Sequence, residues 1–193
     1  MAAIRAGSVV AIPTDTVYGL AALPTDRGAI ARLVELKGRD VEQPIAVLFD
    51  SIAEVGPHLR QRHAVDRLAS FWPGALTAVV EASSDSGLVP PVIASEGTIG
   101  IRKPDDQVAR AVIRGCGGLL AVSSANRHGE APATSAKEVQ AMFGEELLIL
   151  DGGPRRGGVA STVIDLTAEP PKVLREGEIA ALRVLAALRE DSA

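Results

Sequence analysis

A single cysteine, Cys116, in 193 residues excludes an intramolecular disulfide. Its apolar, glycine-rich surroundings from Ile113 to Leu120 offer no catalytic partner, so it reads as a structural thiol in a reducing cytoplasm. Histidine is nearly as scarce. His58 and His63 stand five residues apart, off a common helix face, and His128 is remote from both, so no metal-ligand pattern is present. The five aromatics, Tyr18, Phe49, Phe71, Trp72 and Phe143, are too few for a base-stacking platform and read mostly as core. No apolar run approaches the ~18 residues that span a bilayer. The opening Met1 to Gly7 has no apolar stretch of the export type, so a cytoplasmic protein without membrane contact is expected. Positive charge is also in short supply: a net charge of −4 excludes a broad grip on nucleic acid, and any basic site must be local. Neither a Gly-x4-Gly-Lys-Ser/Thr loop nor a Gly-x-Gly-x-x-Gly turn after the first strand occurs, which excludes the common P-loop and Rossmann sites.

What is present is an alternation of short apolar runs with amphipathic stretches. Strands are expected at 8–13, 45–49, 76–80, 98–102, 119–122, 147–150, 161–166 and 172–174. Helices are expected from a Thr25-Asp26 cap to Lys37, over 58–71, over 105–114, from a Thr134 cap to Phe143, and over 179–188, with a helical turn at 52–55. Thr14 to Gly19 reads as a loop after the first strand, Ser83 to Gly97 as irregular chain, and 151–158 as a mobile, basic, glycine-rich loop. This order predicts one α/β domain over 1–193: a twisted, open, mixed parallel and antiparallel sheet with flanking helices and a concave basic pocket.

Lys37-Gly38-Arg39 closes the helix that begins at Asp26. Glycine past a helix end and cations in its last turn are ordinary capping features. The same turn can also direct both cations at one anion. Strand alternation puts Thr98, Gly100 and Arg102 on one face and Ile99 and Ile101 on the other, so Thr98 and Arg102 reach one site. With Arg175, Thr14, Ser124, Asn126 and Ser161, these groups form a set suited to a small, multiply anionic ligand.

Taken in order, Pro13 to Leu20 (PTDTVYGL), Lys37 to Arg39 with Pro44-Ile45, Trp72 to Gly74 (WPG), Thr98 to Pro104 (TIGIRKP), Ser123 to Asn126 (SSAN), and Ser161 to Asp165 (STVID) with Leu174-Arg175 resemble the YrdC-type threonylcarbamoyl-AMP synthases. The resemblance runs from about residue 7 to 178, and it implies the short form, a single YrdC-like domain. It implies a nucleotidyltransferase that converts L-threonine, bicarbonate or CO2, and ATP to threonylcarbamoyl-AMP and pyrophosphate, with Mg2+ on the ATP. The product would feed t6A modification of tRNA, with tRNA or the transfer machinery as further partners. Position by position, it implies catalytic roles for Lys37, Arg39, Ser124 and Asn126, additional nucleotide contacts at Thr98 and Arg175, and threonine contacts at Thr14, Arg102 and Ser161. Asp40 stands where the family commonly has proline, Leu48 where longer members often have histidine, and Ala160 where glutamate is frequent. The alternatives are an RNA-binding module of the same fold, against which the acidic balance and few aromatics weigh, and a paralogue with another nucleotide-dependent activity.

Overall fold

The structure, a computed structural model, describes residues 1–38, 44–60, 62–155 and 160–190. In chain order its elements are α1 (Ala2–Arg5), β1 (Val10–Pro13), β2 (Tyr18–Ala22), α2 (Arg27–Lys37), β3 (Ala46–Phe49), α3 (Ile52–Val55), α4 (His63–Asp66), β4 (Leu76–Glu81), β5 (Thr98–Arg102), α5 (Gln107–Gly115), β6 (Leu119–Ser124), α6 (Ala136–Phe143), β7 (Leu148–Ile149), β8 (Thr162–Asp165), β9 (Lys172–Arg175) and α7 (Ala181–Glu190). The nine strands form one sheet in the order β7-β1-β2-β6-β3-β5-β4-β8-β9. β7, β5 and β8 lie parallel to β1, β3 and β4, and the other pairings are antiparallel, giving the mixed sheet expected.

Alternation along each strand divides the core into two. Ala11, Val47, Phe49, Ala78, Ile99, Ile101 and Ala121 point to a face covered by α2, α6 and α7. Val10, Ile12, Leu48, Leu120 and Val122 point to the other face, where only α1, through Ile4, and α5, through Ala109, Val112 and Ile113, pack against them. Past α5 no described helix covers this second face, and among the described residues the concavity of the twisted sheet is open there. Cys116 lies buried in the second cluster, and burial pushes its thiol pKa up, as suits a structural group.

Local chemistry explains most element ends. Asp26 caps α2 by accepting from the Ala29 amide at 3.0 Å, and Gly38 ends it in the left-handed region (φ 58°) with its amide on Glu35 O. Asp106 caps α5 through the Ala109 amide at 2.8 Å. Ser135, not Thr134, caps α6. Its hydroxyl accepts from the Glu138 amide while the Glu138 carboxylate returns to Thr134 N at 2.7 Å.

Three further expectations are corrected. The loop expected over 14–19 ends at Val17: Tyr18 and Gly19 open strand β2, which is buried throughout between β1 and β6. Its glycine and alanines carry little strand signal, yet that pairing requires them. A Cβ on Gly19 would lie 2.5 Å from Val122 Cγ1 and 3.3 Å from Ser123 O. The helix expected over 58–71 is broken into α4 and two 3₁₀ turns, at Gly56–His58 and Ala69–Phe71. Val65, Leu68 and Phe71 recur every third residue, the 3₁₀ period, and Leu59 instead bridges to Ala82. The 151–155 half of the glycine-rich loop is pinned. Tyr18 Oη donates to Gly153 O at 2.8 Å, and Arg155 donates to Asp106 Oδ2 at 2.8 Å and to Thr14 O at 3.4 Å, while its amide donates to Thr134 O at 2.7 Å. Residues 156–158 of that loop lie outside the described residues.

Candidate active site

The bare part of the second sheet face holds a cavity of about 760 Å3. Alternate residues of β5 (Thr98, Gly100, Arg102), β4 (Thr77, Val79) and β8 (Val163, Asp165) line it, with Leu48 and Val122 on its floor. Thr14, Lys37, Ser124, Asn126, Ser161 and Arg175 all reach the same cavity from element ends and loops. Eight of the nine residues singled out in the sequence are therefore brought together, and the ninth, Arg39, lies outside the described residues, as does Asp40.

One part of the lining is a hydrogen-bond network around Lys37, which is only 4% exposed. Its Nζ donates to Ser124 O at 2.8 Å, Ser124 Oγ at 3.3 Å and Asn126 Oδ1 at 2.8 Å. Ser124 Oγ donates to the same Asn126 oxygen at 2.5 Å, and Asn126 Nδ2 donates to Arg127 O and Glu130 O, both at 2.9 Å. Those two carbonyls fix which end of the Asn126 amide is nitrogen. The ammonium is thus a charge held in place beside the cavity. Asn126, whose oxygen and nitrogen are both engaged within the protein, holds it there.

Two guanidiniums, Arg102 and Arg175, line the same cavity. Arg175 donates from Nε to Ser161 O at 2.9 Å and from Nη2 to Ser161 Oγ at 3.0 Å, and Ser161 Oγ also meets Thr77 Oγ1 at 2.9 Å. No carboxylate pairs with Arg175 among the described residues. Desolvation, and then the positive charge of Arg102, hold its pKa below the usual arginine value. Arg102 is bracketed by Gly74 O, Thr16 Oγ1 and Asp15 Oδ2. The Thr14 hydroxyl is engaged within its own turn, donating to Val17 O at 2.6 Å and accepting from the Thr16 and Val17 amides, both at 3.3 Å.

Sequence reasoning missed Thr77 as part of this site, and it did not assign Asp15 a role beside Arg102. Thr77 left a signal, a hydroxyl in the apolar run Leu76 to Val80 on the same alternating face as Val79. Asp15 reads equally well as a residue bonding its own turn. Only the fold places Arg102 against it.

The cavity brings fixed cations and hydroxyls together over an apolar floor, with the carboxylates of Glu96 and Asp165 also in its lining. It can hold an anionic chain and a small carboxylate in one space. Among the described residues no group of three or more His, Cys, Asp or Glu is placed to hold a metal ion.

Comparison with known proteins bears on this geometry. The Sua5/YciO/YrdC family model, described as "Telomere recombination", matches residues 2–177. The threonylcarbamoyl-AMP synthase of Chromohalobacter salexigens is 40% identical over 171 residues, covering 86% of this chain and 90% of that protein. The threonylcarbamoyl-AMP synthase of Pyrococcus abyssi is 39% identical over 178 residues, 90% of this chain. The chain spans about half of that protein's length, 52%. The crystal structure of P. abyssi Sua5 complexed with L-threonine superposes with a TM-score of 0.84 at 36% identity, over 95% of this chain and 54% of that one.

Proposed function

The chain belongs to the Sua5/YciO/YrdC family, and from that membership and the cavity's chemistry we propose that it is an L-threonylcarbamoyladenylate synthase. The observation that carries this reading is one cavity lined both by Lys37 with Ser124 and Asn126 and by Arg102, Arg175 and Ser161. The reaction joins two anions. Carboxylation of the threonine amine by CO2 derived from bicarbonate releases a proton and gives a carbamate. A carbamate oxygen then attacks the α-phosphorus of ATP, forming one P–O bond as the bond to pyrophosphate breaks.

Charge and alignment are the barriers, and the residues address both. Lys37 faces the phosphates as a cation already oriented by three acceptors, so it does not reorganise as charge develops at phosphorus. Arg39 is assigned to the same phosphates, and Thr98 and Arg175 to the remainder of the nucleotide. Arg102 takes the threonine carboxylate, with Thr14 beside it. The Ser161 and Thr77 hydroxyls are partners for the threonine hydroxyl, which separates threonine from valine far more strongly than the apolar floor separates it from serine by one methyl, worth ~1 to 3 kcal/mol. Magnesium would enter with ATP and screen its phosphates, and it would ask for few protein ligands.

The product is an activated mixed anhydride whose carbamoyl group must pass to a nucleophile. We assign it to t6A formation on tRNA, with tRNA or the transfer machinery receiving it in the cytoplasm. No described helix is long and apolar enough to cross a membrane. In a coupled assay, pyrophosphate release from ATP is expected to require both L-threonine and bicarbonate. Release that proceeds without threonine refutes the assignment.

A further inference from the structure

Arg102 does not face the cavity as an isolated cation. Its Nη2 donates to Asp15 Oδ2 at 2.7 Å, its Nε to the Gly74 carbonyl at 3.1 Å and its Nη1 to Thr16 Oγ1 at 3.4 Å. A guanidinium has five N–H groups, so these three bonds leave two for a ligand. The pair is largely withdrawn from solvent, with side chains 10% and 15% exposed for Arg102 and Asp15, so salt screens it weakly. The other carboxylate oxygen, Asp15 Oδ1, is buried with no hydrogen-bond partner among the described residues.

The turn that carries Asp15 does not need this carboxylate. Thr14 Oγ1 closes residues 14–17 by donating to Val17 O at 2.6 Å and accepting from the Thr16 and Val17 amides, both at 3.3 Å. Asp15 itself does not line the cavity, so it acts through Arg102 as a positioning residue.

We propose that Asp15 sets the plane and the net charge of the Arg102 subsite so that it selects a zwitterionic α-amino acid over a simple carboxylate anion. This rests on the reading of Arg102 as the amino-acid clamp. A lone arginine attracts any small anion, and Lys37 and Arg175 line the same cavity, against the carboxylates of Glu96 and Asp165. The Arg102–Asp15 pair is neutral overall, so a bare carboxylate gains little from its approach to that pair. A carboxylate on the two open N–H groups of Arg102 keeps its α-nitrogen well inside the Debye length of ~8 to 10 Å from Asp15. An ammonium there recovers the attraction that the bare anion lacks.

Titration calorimetry on the full chain tests this with L-threonine and with 3-hydroxybutyrate, which is threonine without its amino group. The wild type is expected to prefer threonine, Asp15→Asn to narrow the preference about tenfold, and Asp15→Glu to restore part of it. Asp15→Ser replaces the amide variant if that one does not fold. Equal weakening of both ligands by Asp15→Asn, as a purely structural role would give, overturns the proposal, as does an unchanged ratio. Either result leaves the threonine reading standing. A wild type that binds neither ligand overturns the clamp reading and the proposal with it.

Discussion

Replacing Asn126 with alanine tests whether Lys37 works as a preoriented charge. The substitution removes the Oδ1 that Lys37 Nζ meets at 2.8 Å and Ser124 Oγ at 2.5 Å, and both donors to Arg127 O and Glu130 O. Asn126 is 8% exposed, so its partners are left in a poorly solvated place. A bond to a charged group contributes about 1.5 to 3 kcal/mol and a neutral one about 0.5 to 1.5, and water re-entering the gap recovers part of the total, so we expect a loss of roughly 2 to 4 kcal/mol. At this chain length that corresponds to a Tm drop of about 5 to 15 °C. Lys37 keeps its bond to Ser124 O at 2.8 Å, so it stays at the wall but gains rotational freedom. Loss of one oriented charge of this kind costs roughly 10²- to 10³-fold in kcat. Pyrophosphate-release kinetics under threonine saturation, at a temperature where the variant is folded by circular dichroism, measure it. Asn126→Asp is the complement, since it keeps the acceptor but neutralises Lys37 and sets an oxygen against two carbonyls, so it is expected to lose kcat as well. If the folded Asn126→Ala protein keeps kcat within about threefold, Asn126 only supports the loop, and the preoriented-charge argument is wrong.

Two further outcomes concern the scaffold. Burial alone would raise the Asp50 pKa, but Arg110 at 2.5 Å and Arg114 at 2.8 Å outweigh it and hold the carboxyl below its usual range. As pH falls through about 4 the unfolded chain takes up this proton first. The contribution of Asp50 to stability is therefore present near neutrality and lost on acidification. Urea midpoints at pH 7 and below pH 4 are expected to converge between wild type and Asp50→Asn, and a constant gap counts against the pairing. Gly19→Ala places a Cβ 2.5 Å from Val122 Cγ1 and is expected to cost about 1 to 3 kcal/mol. Adding Val122→Ala should recover much of that loss in a double-mutant cycle, and strictly additive losses would show that the contact is not the cause.

The alternation of apolar runs and capped helices was legible in the sequence, because periodicity and caps are local. Asp26 at the start of α2, Gly38 at its end, and Thr98 and Arg102 on one face of β5 follow from spacing alone. β2 was not legible: Gly19, Ala21 and Ala22 are strand residues only because β1 and β6 flank them closely. The same limit applies to the site. Polar residues at the ends of apolar runs marked Lys37, Ser124, Asn126, Arg102, Ser161 and Arg175 as ligand-facing, and the ordered motifs gave the family. Tertiary structure alone decided how they combine. The sheet order puts β6 beside β2, the strand on which α2 packs, so Asn126 bonds Lys37 across 89 positions of sequence, and the fold brings the turn at Asp15 to Arg102 across 87. A sequence determines which groups are available and which way each strand turns them. It does not reveal which cation has a counter-charge, because that depends on distances between segments the chain brings together only on folding.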